Sequence, residues 1–353
     1  KQGQLISNRG GNMIISWNPK LEGLGSNATI ANVYDGILEI TGGEINSLQS
    51  NVIYNKEGTA TIGGNVSIEG KGENNTTSVA VGNTSKMQIT GGTIISSNVT
   101  TVYNSGGEMS ISGNTSIEYD GDSRMAVNNT GTMSINENVS IVTSYVTINN
   151  RGTMDITGGN IVSETSNVIN NINDGNLTIS GEATMEGRGT ESPTVANTKG
   201  TVEITGGEFN SLQSNAVYNV EGTLKINGGT YTANNANVIS NKATMSIAGY
   251  PTIQNLSKPL IANRETGILT ISQLNLDGGT SNAIANYGQL EINEETTIIN
   301  NASNLPTIYN YEGSSIVVNA GTITNNGGGY AVYRKSTDIS ITISPNANVS
   351  KYN

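Results

Sequence analysis

The chain has 353 residues, of which 5% are aromatic and 13% are charged, with 44 glycines and only 6 prolines. This composition is too apolar for a disordered chain and too rich in Gly, Asn, Ser, Thr, Ile and Val for helices, so we expect an almost all-β protein. The net charge of -11 and the lack of a basic run argue against a nucleic-acid partner.

Two residue types are missing altogether. Without cysteine, the chain has no disulfides, zinc–thiolate sites or thiol catalysis, and without histidine it lacks the usual general base and the commonest metal ligand. No apolar stretch reaches the roughly 18 residues of a membrane span, so we expect no membrane insertion. A start without a signal peptide and an end without an anchor indicate a segment of a longer chain.

A short phrase, Ile or Val followed by any residue and then Asn, recurs along the whole sequence. The spacing is 21 to 28 residues, and a fifteenth copy has Arg334 in the Asn place. The marker asparagines are Asn8, Asn32, Asn55, Asn83, Asn104, Asn129, Asn150, Asn171, Asn197, Asn219, Asn241, Asn263, Asn286 and Asn310. Such a period indicates a repeat architecture.

A second phrase follows each marker: a small residue, an apolar residue two positions on and Ile or Val two positions further. Gly58-Ala60-Ile62 and Gly152-Met154-Ile156 are examples. Spacing by two is typical of a strand with one buried face. The Gly-Gly or Gly-Asn pairs that usually come next tolerate the positive φ of a sharp corner.

Two architectures fit units of this length, a leucine-rich-repeat horseshoe and a parallel β-helix. The horseshoe expects Leu at the repeated apolar places, which here hold Ile, Val and Met, so we predict a β-solenoid of about 15 coils. We expect one continuous solenoid over 1–353, with an N-terminal coil or cap region at 1–31. Residues 311–353 should form C-terminal coils from which the chain can continue into a further domain.

The marker asparagines lie between inward Ile or Val positions, so their amides should be buried. A buried amide needs hydrogen-bond partners, and stacked coils can supply them through a ladder of asparagines. This Asn series and the coil length resemble the right-handed parallel β-helix of pectate-lyase-like proteins, whose corners commonly carry Asn ladders. The repeats also resemble those of bacterial surface adhesins.

The pectate-lyase resemblance implies carbohydrate chemistry, but it transfers no catalytic residue. Lyases of that fold use clustered carboxylates that hold calcium together with a basic residue, and related polygalacturonases use Asp pairs with a His-bearing motif. Here histidine is absent, and no two aspartates occupy equivalent positions in adjacent coils. We therefore expect no enzyme and no cofactor.

Two acidic pairs are candidate sites. Asp120 and Asp122 flank Gly121 in a longer coil, where the loop could bind calcium through oxygen ligands, although a polar turn explains them as well. Glu294 and Glu295 are adjacent, and strand neighbours point to opposite faces, which makes them poor partners for acid–base catalysis.

Aromatic residues give a binding candidate near the C-terminus. Tyr309 and Tyr333 precede marker positions of consecutive coils, Tyr287 and Tyr311 follow theirs, and Tyr330 is close in sequence. Outward side chains at matched positions should form a patch that either stacks on a sugar or contacts a protein, or else covers a coil end.

These observations favour a non-enzymatic, adhesin-like rod or stalk at the bacterial cell surface that presents a binding surface to a glycan or protein ligand. The insertions at 70–78, 119–125 and 187–194 are further places for recognition. The alternative is a carbohydrate-active enzyme or a phage-spike β-helix with an unrecognised site.

One segment is present in two nearly identical copies, residues 40–62 and 204–226. Its apolar positions vary, whereas the string NSLQSN at 46–51 and 210–215 does not. We interpret each copy as one duplicated coil and NSLQSN as its bend, where Ser and Asn can bond to the backbone.

Overall fold

The computed structural model describes residues 5–73, 78–255 and 258–353. The chain divides into two compact units, the first comprising Lys1–Leu177 with Gly181–Thr184 and the second Thr178–Ser180 with Met185–Asn353. Both units are parallel β-solenoids, and together they contain about 15 turns. The described residues form strands and no helix, which confirms the predicted fold class.

The strands of the first unit have three to five residues, apart from the longer β11 and β13. They are β1 (Ile6–Arg9), β2 (Asn12–Ile15), β3 (Lys20–Gly23), β4 (Ile30–Val33), β5 (Ile37–Ile40), β6 (Glu44–Ser47), β7 (Ile53–Asn55), β8 (Thr59–Ile62), β9 (Ser67–Gly70), β10 (Val79–Asn83), β11 (Lys86–Ser96), β12 (Thr100–Asn104), β13 (Glu108–Tyr119), β14 (Val127–Asn129), β15 (Thr132–Ile135), β16 (Ser140–Thr143), β17 (Ile148–Asn150), β18 (Thr153–Ile156), β19 (Asn160–Ser163) and β20 (Ile169–Asn171). Two strands, β21 (Gly175–Ile179) and β22 (Thr184–Gly187), contain residues of both units.

The second unit continues the same order of elements. Its strands are β23 (Val195–Asn197), β24 (Gly200–Ile204), β25 (Glu208–Ser211), β26 (Val217–Asn219), β27 (Thr223–Ile226), β28 (Thr230–Ala233), β29 (Ile239–Asn241), β30 (Thr244–Ile247), β31 (Thr252–Gln254), β32 (Ile261–Asn263), β33 (Ile268–Ile271), β34 (Leu274–Asp277), β35 (Ile284–Asn286), β36 (Gln289–Ile292), β37 (Thr296–Asn300), β38 (Ile308–Asn310), β39 (Ser315–Val318), β40 (Gly321–Asn325), β41 (Val332–Arg334), β42 (Ser340–Ile343) and β43 (Ala347–Val349).

Within each unit, a typical turn contributes a strand to each of three stacks, and each strand pairs in parallel with its counterpart in at least one neighbouring turn. In the first unit Ile53 of β7 pairs with Ile30 of β4 on one side and with Val81 of β10 on the other. All three side chains are fully buried. The core is therefore a set of columns of like apolar residues, as strand spacing by two predicted.

Corners between the stacks depend on glycine where the backbone needs a positive φ. Gly43 has a φ of 109°, and a Cβ there would lie 2.8 Å from the backbone oxygen of Pro19 in the preceding turn. A side chain at this position would face both an unfavourable backbone conformation and a backbone clash. This confirms the role that the sequence predicted for the Gly-Gly pairs.

The asparagine ladder is present and buried. In the first unit the Nδ2 of Asn32 donates to Gly36 O at 2.7 Å, to Asn55 Oδ1 at 2.9 Å and to Thr59 O at 3.1 Å. In the second unit Asn219 donates to Asn241 Oδ1, and Asn241 to Asn263 Oδ1, each at 2.9 Å. Asn32 thus bonds both within its own turn and to the next turn, and Asn219 and Asn241 each bond to the asparagine of the next turn. These bonds confirm the structural assignment of the marker asparagines.

A second set of buried polar side chains lies three positions before some of the markers. In the first unit Thr29 Oγ1 donates to Asn46 O and Thr147 Oγ1 to Val162 O, each at 2.9 Å. In the second unit Thr307 Oγ1 donates to Thr324 O at the same distance. These threonines tie the first strand stack to the third, a contact that the sequence pattern did not predict.

The duplicated segment forms equivalent bends in the two units. Ser47 Oγ accepts a hydrogen bond from Ser50 N at 3.2 Å, and Ser211 Oγ accepts one from Ser214 N at 3.1 Å. All four serines are buried. The string NSLQSN is therefore a structural bend in both copies, as its Ser and Asn content indicated.

Candidate functional site

Five tyrosines of the second unit lie together on its outer surface: Tyr287, Tyr309, Tyr311, Tyr330 and Tyr333. We call this group the tyrosine surface. Parallel pairing of β38 with β41 sets Tyr309 directly beside Tyr333. The backbone N–H of Tyr311 donates to Asn286 O at 2.9 Å, which brings Tyr311 next to Tyr287.

The rings form a continuous chain of contacts. The centroids of Tyr287 and Tyr311 are 3.9 Å apart with an interplanar angle of 10°, so these rings are stacked. Tyr309 lies 4.4 Å from Tyr311 and 5.2 Å from Tyr333, and Tyr333 lies 5.5 Å from Tyr330. All five side chains are half-buried, so their rings pack on one another and keep part of their surface exposed.

Two lysines border the tyrosine surface. Lys335 Nζ lies 6.0 Å from the ring centroid of Tyr311, and Lys351 Nζ lies 4.5 Å from that of Tyr330. Both distances are within the range of cation–π attraction. Neither lysine is ion-paired with a carboxylate in the described part of the chain. Residues 330–353 contain three basic residues and one acidic residue, in contrast to the net charge of -11 of the whole chain.

Packing also alters the acidity of two hydroxyls in the tyrosine surface. Burial, followed by a hydrogen bond with Tyr287, raises the pKa of Tyr311 to about 12, and Lys335 opposes this rise. Burial, followed by the proximity of Tyr333 and Tyr311, raises the pKa of Tyr309. Both hydroxyls therefore remain protonated donors at neutral pH.

The chemistry available here is binding rather than acid–base catalysis. Rings offer apolar faces and edges, protonated hydroxyls donate and accept hydrogen bonds, and the lysines supply positive charge. A general base active near neutral pH would need a different kind of group, such as a histidine or a carboxylate with a raised pKa.

The Asp120–Asp122 loop is a turn organised from within by a buried ring. Tyr119 is 2% exposed, and its hydroxyl accepts a hydrogen bond from Arg124 N at 2.9 Å. Both aspartates are exposed. Within residues 5–73, 78–255 and 258–353, no three acidic side chains come together as a metal-binding group. Calcium binding by Asp120 and Asp122 stays a prediction.

The prediction that Glu294 and Glu295 are neighbours in a strand was wrong. Both residues lie in the turn between β36 and β37, and Glu295 has a φ of 56°. The carboxylate of Glu295 accepts hydrogen bonds from Tyr250 Oη at 3.0 Å and from Gln273 Nε2 at 3.2 Å. Glu295 thus joins side chains of successive turns.

The three insertions that the sequence predicted as places for recognition differ in their structural surroundings. Residues 74–77 of the 70–78 insertion lie outside the described residues. The 119–125 insertion is the turn around Tyr119. The 187–194 insertion returns to the core at Thr194, whose Oγ1 donates to Asn210 O at 2.9 Å. Recognition by these loops stays a prediction.

Sequence reasoning named the five tyrosines but missed the lysines beside them. The signal was present, because Lys335 follows Arg334 just as Tyr287 and Tyr311 follow their marker asparagines. Lys351 gave no such signal. Its backbone oxygen accepts a hydrogen bond from Ala331 N at 2.8 Å, and this contact from a later turn brings it to Tyr330.

No family model matches the chain, and neither a curated protein nor a solved structure is significantly similar to it. Among the described residues, no helix has the length and apolar character needed to cross a membrane.

Proposed function

We propose that the chain is a non-enzymatic, extracellular domain of a bacterial surface protein, an adhesin-like β-solenoid that presents a binding surface to a glycan or protein ligand. The chain resembles pectate-lyase-like β-helices in its coil length and Asn series, and its repeats resemble those of bacterial adhesins. The tyrosine surface, whose five rings form a continuous chain of contacts, is the observation that carries the proposal.

A contiguous aromatic surface favours binding for an energetic reason. Tyrosine brings a large contact area at a low cost in side-chain entropy, and here the rings already support one another before any ligand arrives. The Tyr287–Tyr311 stack holds two rings in one orientation. A ligand would therefore meet a largely preorganised surface.

The bordering lysines favour a ligand with acidic groups. Lys335 and Lys351 lie against rings and are free of carboxylate partners in the residues described, so an incoming anion would not have to break an existing ion pair. Such charges raise the association rate and make it depend on salt. An acidic glycan or an acidic protein segment fits this chemistry.

The buried, repeated residues of the solenoid support the tyrosine surface and do not contact the ligand there. Buried asparagines and apolar columns form the interior, whereas outward positions vary from turn to turn. Ser240, Ala262 and Ala285 occupy the strand position that Tyr309 and Tyr333 fill in later turns. The same scaffold thus carries small side chains in one region and a tyrosine cluster in another.

The experiment compares adherence to cells and binding to acidic glycans for the wild-type chain and a Tyr309→Ala, Tyr311→Ala, Tyr333→Ala variant. We expect the triple variant to lose most binding while its melting temperature changes little, because these side chains are only half-buried. Undiminished adherence would remove the tyrosine surface as the site.

Tyr218→Ala provides a matched control. Tyr218 lies at the same strand position as Tyr309, before a ladder asparagine, and it is also half-buried. Its lateral neighbours are Ala196 and Ser240 rather than tyrosines. Loss of binding in this variant too would indicate a general effect on the fold instead of a role for the tyrosine surface.

A further inference from the structure

The third strand stack of the second unit is interrupted once. β31 pairs with β28, and β34 pairs with β37, but β31 and β34 form no ladder with each other in the described residues. Each of the two strands therefore has an edge that faces the interruption without a paired strand.

The interruption follows from the number of residues at the corner before the third strand. Four residues, 248–251, separate β30 from β31, whereas only two, 272–273, separate β33 from β34. The chain therefore enters β34 earlier in its turn than it enters β31. Tyr250 N still donates to Gln273 O at 2.8 Å, so the turns are joined at the corner and separate beyond it.

An open groove of about 680 Å³ occupies this place. Thr232, Gln254 and Asn255 line one side, and Asn275 and Asp277 line the other. This volume falls within the range of pockets that bind a single small-molecule ligand. We call this feature the groove.

The polar groups of the groove include unused hydrogen-bonding capacity. Gln254 and Asn275 are exposed, and neither side-chain amide has a hydrogen-bond partner within the described residues. Asp277 Oδ1 accepts from Gly279 N at 2.8 Å, which leaves the other carboxylate oxygen for a ligand. Each amide both donates and accepts, and the carboxylate accepts, so together they match a ligand rich in hydroxyl groups.

Tyr250 adds an aromatic wall that is fixed in place. Its side chain is 49% exposed, and its hydroxyl bonds to Glu295, which also holds Gln273. A ring restrained at its far end can offer its face to a ligand at little further entropy cost.

Charge and strand length exclude two other ligand classes. Asp277 is the one charged side chain among the described residues that line the groove, so an anion would meet no cation there. An added peptide strand would find an edge of only three residues at β31, preceded by Pro251, which has no N–H to donate.

The geometry points to the groove as a second binding site, for a short neutral oligosaccharide. Its hydroxyls bond to Gln254, Asn275 and Asp277, and one sugar ring packs against Tyr250. This site is separate in residues and in charge from the tyrosine surface, and it does not depend on the function proposed for that surface.

The test is a glycan array with neutral and acidic oligosaccharides, followed by calorimetric titration with cellohexaose, maltohexaose and mannohexaose. We expect at least one neutral hexasaccharide to bind. Gln254→Ala and Asn275→Ala should each weaken that binding by about tenfold, the equivalent of one good hydrogen bond. Tyr250→Phe should keep most of it, because the ring remains, and Tyr250→Ala should abolish it.

Asn348→Ala is the matched control, since Asn275, Thr297, Thr322 and Asn348 follow one another at the same outward position of the stack. It should bind like the wild type, because Asn348 is absent from the groove lining. The proposal is overturned if no neutral oligosaccharide binds, if the Gln254 and Asn275 variants lose binding of hexagalacturonate rather than of a neutral hexasaccharide, or if they bind the neutral hexasaccharide as tightly as Asn348→Ala.

Discussion

Asn55 donates a hydrogen bond from its Nδ2 to the Oδ1 of Asn83 at 2.8 Å, although 28 positions separate the two residues. The same Nδ2 reaches Gly58 O at 3.0 Å and Lys86 O at 2.9 Å. One side chain thus fastens a corner of its own turn to the next turn. Removal of such a residue should affect the neighbours on both sides.

Asn150→Leu tests this ladder in the first unit. Asn129 donates to Asn150 Oδ1 at 2.9 Å, and Asn150 donates to Asn171 Oδ1 at 2.8 Å, so the substitution leaves a buried donor and a buried acceptor with fewer partners. Each loss costs about 1–3 kcal/mol. We expect a clearly lower melting temperature by calorimetry. Asn128→Ala, at the adjacent outward position, is the control, and equal melting temperatures for both variants would contradict a stabilising ladder.

The bends of the duplicated segment should respond alike to serine removal. Ser47→Ala and Ser211→Ala each delete the acceptor of one buried backbone N–H, at a cost of about 1 kcal/mol. Hydrogen exchange should quicken at the amides of Ser50 and Ser214, respectively. Unchanged exchange at both amides would mean that NSLQSN is retained for some purpose other than the bend.

Ionisation of Tyr311 in the tyrosine surface should lower the stability of the chain at alkaline pH. The pKa of Tyr311 is raised to about 12, from an ordinary value of 10.0. The folded state therefore holds this proton more tightly than the unfolded state, so the contribution is complete below pH 10 and is lost as the pH rises toward 12. Melting temperatures should fall less steeply across this interval in Tyr311→Phe than in the wild type. Parallel curves for the two proteins would refute the assignment.

Lys335 and Lys351 should affect the rate of ligand association more than they affect the packing of the tyrosine rings. Lys335→Gln together with Lys351→Gln is expected to slow association with an acidic ligand and to reduce its dependence on salt, because long-range attraction acts before contact. Surface plasmon resonance at several salt concentrations measures both effects. Lys56→Gln, an exposed lysine of the first unit that is paired with Glu57, is the control. Equal salt dependence for all three proteins would exclude a role for these charges.

The fold was predictable from the sequence because each turn repeats the same physical constraints. Inward Ile and Val at alternate positions, a buried Asn that needs partners and a glycine corner recur often enough to reveal the period. The buried threonines were not predictable in the same way. Thr29 and Thr147 occupy a position that holds Val52 or Ala126 in other turns, and only the structure shows the carbonyl that each hydroxyl meets.

The candidate site was predictable in part. Register alone brings Tyr309 beside Tyr333, since both precede a marker position. Lys351 approaches Tyr330 through a turn that the repeat pattern does not describe. The groove depends on two corner lengths that differ by two residues, a detail that a search for regular spacing treats as noise.

Binding without cleavage is the central claim, and product analysis tests it most directly. The purified chain is incubated with the acidic glycans that it retains on an array, and the recovered oligosaccharides are sized by mass spectrometry. We predict that the wild type binds these glycans and leaves them intact. The Tyr309, Tyr311 and Tyr333 triple variant should fail to retain them. Shortened oligosaccharides, or full retention by the triple variant, would contradict the claim.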